Sequence, residues 1–132
     1  MLHLNKDITT SKPVFDWNKT YMPKPRMLGT EYVGSDRYAV VCVSVDSPKR
    51  ITVKRVWELD ENNVKEHPNI DIDDEGVMWA IDINKFNMSE DGKKWSLRTN
   101  KRGKESWHEM GSSSRSSSIH WGIADPYRDP NF

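Results

Sequence analysis

The sequence predicts a mainly β fold, a small antiparallel barrel or sandwich of SH3-like size with an extended N-terminal arm and little helix. Three observations predict it. Two adjacent runs rich in Val, Ile, Thr and aromatics are separated by four turn-forming residues; further short runs of the same kind follow at turn-punctuated intervals; and no stretch sustains a helix-length apolar period. With 132 residues the chain is long enough for one modest core, and a single domain over 28–132 is expected.

The elements follow in chain order. Residues 1–27 hold Pro13, Pro23 and Pro25 and no periodicity, so they read as an extended arm with Phe15, Trp17 and Tyr21 as anchors. "RYAVVCVSV" and "RITVKRVWEL" flank Asp46-Ser47-Pro48-Lys49, which has hairpin turn chemistry. On the second strand Ile51, Val53, Arg55 and Trp57 share one face, and Thr52, Lys54 and Val56 the other. An acidic loop is expected over 60–76. A third strand is expected in "VMWAIDI", where Val77, Trp79, Ile81 and Ile83 alternate with Met78, Ala80 and Asp82. A fourth is expected in "KWSLRTN" and a short fifth around Trp107. The Ser-rich tract at 111–118 reads as a flexible loop, after which aromatic residues return.

Composition excludes some functions. Twenty basic and twenty acidic residues cancel, so no overall field draws the chain to nucleic acid or an anionic membrane. Mean hydropathy is -0.85, yet six Trp, four Tyr and three Phe supply core aromatics that disordered chains lack. No apolar run approaches a membrane span, and the N-terminus has no basic start followed by an apolar core; a soluble, intracellular protein is expected. The lone Cys42, set among apolar residues, reads as a buried hydrophobe in a reducing compartment.

Catalytic patterns are sparse. "DIDDEGVMWAID", Asp71 to Asp82, matches part of a calcium loop, but its twelfth residue is Asp rather than a bidentate Glu and no amphipathic helices flank it, so an acidic turn into a strand is the simpler reading. His3, His67, His108 and His120 have no zinc-ligand spacing. His108 and Glu109 are neighbours on a strand, hence on opposite faces. No nucleophile elbow or phosphate-binding loop is present. The expectation is a non-enzymatic protein without a cofactor or metal. Binding is better supported: "LRTNKRGKESWH" combines Arg98, Lys101, Arg102 and Lys104 with Trp107, groups that suit a phosphate and a stacked base, although "TNKRGK" alone also reads as a solvated hairpin tip.

Three segments, "GSDRYAVVCVSVDSPKRITVKR", "WSLRTNKRGKESWHEMG" and "YRDPNF", carry a resemblance over about residues 28–132. Ser35, Asp36, Arg37 and Ala39, then Leu97, Arg98, Asn100 and Trp107, then Tyr127, Asp129 and Phe132 match a family of short phage and prophage proteins; the chain resembles the type-one anti-Thoeris sponges. The resemblance implies a non-enzymatic homo-oligomer in the host cytoplasm that sequesters a cyclic nucleotide or ADP-ribose-like immune signal at a subunit interface. Arg37, Arg98 and Arg102 would then meet phosphates, Trp107 and Trp121 would stack on the base, and Tyr127 and Arg128 would complete the site. The chain departs from that family at Ala124, where an arginine is usual; Arg115 or Arg128 would have to replace it. The alternative is a small β-barrel module that docks on a protein or nucleic-acid partner, as a phage accessory or virion component.

Overall fold

Alternation and turn chemistry place most strands where the sequence puts them. The computed structural model describes residues 14–56, 69–86, 88–89, 91–111 and 118–127. Trp57, the acidic segment as far as Pro68, Arg115 with the Ser tract at 112–117, and the ending with Arg128, Asp129 and Phe132 lie outside the described residues. Among the described residues the order is β1 (Leu28–Val33), β2 (Asp36–Ser47), β3 (Arg50–Arg55), β4 (Ile70–Ile72), β5 (Met78–Ala80), a 3-10 turn (Ile83–Lys85), β6 (Lys93–Thr99), β7 (Glu105–Glu109) and β8 (Ser118–Trp121). Six strands form one antiparallel sheet in the order β7-β6-β3-β2-β1-β8. Its end strands β7 and β8 come back beside each other, so the sheet is a nearly closed barrel.

Register decides what the barrel encloses. Cross-strand partners share a face. The pairs Gly29↔Val40, Val40↔Arg55, Cys42↔Val53, Ile51↔Trp95 and Leu97↔Trp107 therefore point inward together with Trp121, the partner of Gly29. Val40, Ile51, Val53, Trp95, Trp107 and Trp121 are buried there. The outer face of β1 and β2 is also covered, which is why Leu28, Thr30 and Val41 are fully buried as well. Its cover is the small β4–β5 sheet, the arm before β1 and the chain after β8. Met78 N–H donates to the Gly122 carbonyl at 2.8 Å and Ala80 N–H to the Arg26 carbonyl at 2.7 Å.

The described part of the arm docks on the domain through Phe15, which is buried and lies against Tyr21 and His120. Phe15 sits over Gly122, whose φ of +109° and lack of a side chain admit the ring. Arg26 enters β1 with φ 77, a conformation held on three sides: its N–H donates to the Cys42 carbonyl, its carbonyl accepts from Ala80, and its Nη1 donates to the Ala80 carbonyl at 3.2 Å.

Three strands were not legible. β1 lies just inside the expected domain start, β4 forms within the stretch expected as an acidic loop, and β8 begins at the last residue of the expected Ser-rich loop. The third expected strand is shortened to Met78–Ala80: Met78 and Ala80 are buried, Ile81 is 55% exposed, and the Asp82 side chain caps the 3-10 turn. No helix among the described residues is long and apolar enough to cross a membrane.

Candidate functional site

The β6–β7 hairpin sorts its side chains by parity. Trp95, Leu97 and Trp107 go inward, so Lys94, Ser96, Arg98, Ser106 and His108 go outward. Arg98 lies directly opposite Ser106, and Ser96 opposite His108. Ser106 Oγ and His108 Nε2 are 2.8 Å apart. Directly opposed residues hold their Cβ atoms about 5 Å apart, so a guanidinium, a hydroxyl and an imidazole converge on one outer patch. Glu109 points the other way, and no described carboxylate reaches the remaining ring nitrogen of His108. The patch therefore offers donors to an anion, without the oriented base of a catalytic triad.

The hairpin tip is braced from within. Asn100 Oδ1 accepts from the backbone N–H groups of Arg102 and Lys104 at 2.9 and 3.0 Å, and Asn100 N–H donates to the Lys104 carbonyl at 2.9 Å. This turn holds Lys101, Arg102 and Lys104 in water beside Arg98. None of these four cations forms an ion pair with the described residues, whereas Lys19, Arg37, Arg55, Lys93 and Lys94 all do. Four uncommitted positive charges on seven consecutive residues, in a chain with no net charge, make the tip locally cationic.

Arg37 stands elsewhere. It is ten positions from Ser47 along β2, about 33 Å of extended chain, and the β6–β7 tip projects past the Ser47 end, since Ser96 pairs with Arg50. Arg37 Nη1 lies 3.0 Å from Asp125 Oδ2, and its guanidinium is 5.1 Å from the ring centre of Tyr127. The two backbones exchange hydrogen bonds of 2.7 and 2.9 Å. Trp107 and Trp121 are 5% and 3% exposed, so neither presents a ring face for stacking. Burial leaves Trp121 Nε1 without a partner among the described residues. Within one chain the structure thus brings Arg98 and Arg102 together, and separately Arg37 and Tyr127; Arg128 lies outside the described residues.

The sequence reading passed over Ser106 and weighed His108 only as a zinc ligand and beside Glu109. Their signal was present as Ser-x-His inside a strand pattern, a spacing that puts both on one face.

The acidic turn has a structural job. Asp73 Oδ1 accepts from Glu75 and Val77 N–H at 2.9 and 3.0 Å, and its Oδ2 accepts from Trp79 Nε1 at 2.9 Å. Burial opposes ionisation of Asp73, but the Trp79 indole and the two backbone donors outweigh it and hold the carboxyl below its usual range. Cys42 is fully buried, and desolvation pushes its thiol up to about 12, the reverse of a reactive cysteine.

No family model, no curated protein and no solved structure matches the chain.

Proposed function

We propose that the chain is a non-enzymatic binding protein that sequesters a phosphorylated, nucleotide-like signal, a cyclic nucleotide or ADP-ribose-like molecule, between copies of its β6–β7 hairpin. The observation that carries this reading is the set of four cations on a braced tip that form no ion pair with the described residues, with Arg98 opposite Ser106 and on the same face as His108. Hydrogen bonds to charged groups contribute about 1.5–3 kcal/mol each, while micromolar affinity needs about 8 kcal/mol after the cost of association. One hairpin with three such contacts falls near or below that threshold. Two hairpins related by symmetry would clear it, which favours a homo-oligomer. Selectivity then rests on phosphate geometry rather than on stacking. A role as a phage-encoded anti-defence sponge in the host cytoplasm is the setting that the sequence resemblance supplies.

Calorimetric titration with a panel of cyclic ADP-ribose isomers and cyclic oligonucleotides tests it. At least one compound should bind, and the Arg98→Ala, Arg102→Ala double variant should bind it at least about a hundredfold more weakly with an unchanged melting temperature. If no intact compound binds the wild-type protein, the reading fails.

A second reading, a module that docks on a protein or nucleic-acid partner, is favoured by one feature: the four cations crown an open tip rather than line the walls of a cavity. Single-stranded nucleic acid as the partner would reveal itself by an affinity that falls linearly on a log–log plot against salt, with a slope reduced by the same double variant.

A further inference from the structure

The opposite end of the barrel, where β1, β3 and β7 finish and β2 and β6 begin, holds a cleft of about 240 Å³. Val53 and Trp95 form its apolar floor. Glu31, on β1, is sunk into its wall with a side chain only 6% exposed. Glu31 Oε1 accepts from Arg55 Nε at 3.0 Å, and the Arg55 guanidinium lies 3.9 Å over the Tyr38 ring, which fixes the pair. Glu31 is one of the residues that line the cleft, and among the described residues none donates to its Oε2.

At the rim, Lys93 Nζ and Glu109 Oε2 stand 3.7 Å apart, a loose pair with Lys93 mostly in water. Asp91, also on the rim, has no ion-pair partner among the described residues. Among the described residues that line the cleft, three carboxylates face two cations. The volume lies below the range of drug-sized ligand sites, which suits a small ligand.

We propose that this cleft binds a small organic cation, an ammonium on a short apolar stem. The ammonium carries three donors and no acceptor, which matches Glu31 Oε2 and the Glu109 carboxylate, while the stem lies on Val53 and Trp95. In binding, the ligand replaces Lys93 at Glu109. This chemistry is opposite in sign to that of the outer hairpin, and alternation along β6 separates the two: Lys93 and Trp95 face in, Lys94 and Arg98 face out.

Calorimetric titration of the full chain with putrescine, L-arginine and n-butylamine, and with succinate as the anionic control, tests the assignment. At least one cation should bind one to one and succinate should not. Glu109→Gln should weaken that cation at least about tenfold. Lys93→Met should tighten it, a gain that damage to the fold cannot imitate. The assignment is overturned if none of the three cations binds, if succinate binds as well as they do, if Glu109→Gln leaves affinity unchanged, or if Lys93→Met fails to raise it.

Discussion

Arg37 uses its side chain to hold two parts of the chain together. Its backbone pairs with Tyr127, its guanidinium meets Asp125 and lies on the Tyr127 ring, and on β1, two residues from Arg37's partner Tyr32, Thr30 Oγ1 donates to the Ile123 carbonyl and accepts from Asp125 N–H. The segment after β8 is clasped onto β1 and β2. Because the Arg37–Asp125 pair is about one-third exposed, solvent screening limits its worth. Together with the ring contact, Arg37→Ala should cost about 1–2 kcal/mol, read as a lower urea midpoint at constant slope. Anion binding at the β6–β7 hairpin should survive the change. Retained stability with lost binding would instead place Arg37 against the ligand.

At the scale of elements, β1 and β8 show why some strands stay hidden in a sequence. β2 and β3 announce themselves through Val and Ile runs on either side of a Pro-containing turn, a local pattern. In β1, Leu28, Thr30 and Glu31 are all buried because both faces are covered, so the hydrophobic alternation that marks a half-exposed strand is missing. β8 is four residues long and β4 three. The β1–β8 junction is also tight: a Cβ at Gly29 would lie 2.7 Å from Trp121 Cε3 and 3.0 Å from the His120 carbonyl oxygen. Gly29→Ala should therefore destabilise by about 1–3 kcal/mol through overpacking, more than the smaller entropic gain of losing a glycine, about 0.4–1 kcal/mol. Amide hydrogen exchange should quicken in β8 before it does in the β2–β3 hairpin, and a stabilised variant would contradict this account.

For the molecule as a whole, the aromatic ledge on the outer face of β8 sets a pH limit. His120 stacks on Trp17 at 5.3 Å, meets the Phe15 edge at 5.8 Å, and buries Nε2 without a partner among the described residues. Desolvation lowers its pKa. A depressed pKa contributes stability that is fully present above the unfolded value, near 6.5, and is lost as pH falls through the folded one. Asp73, also depressed, adds its loss only below the usual carboxylate range. His120→Phe, which keeps the stacking, should flatten the fall in melting temperature between about pH 7 and 5; an unchanged slope would locate the titration elsewhere. The sequence by itself determined the mainly β class, the β2–β3 hairpin, the basic β6–β7 tip and the apolar setting of Cys42, because each rests on alternation and turn chemistry within a few residues. Only the tertiary structure decided that Trp107 and Trp121 fill the core, that Arg37 grips Asp125, that Ser106 and His108 share a face with Arg98, and that Glu31 lines a cleft. Those outcomes depend on register between strands far apart in the chain, where a slip of one residue exchanges the inner face for the outer.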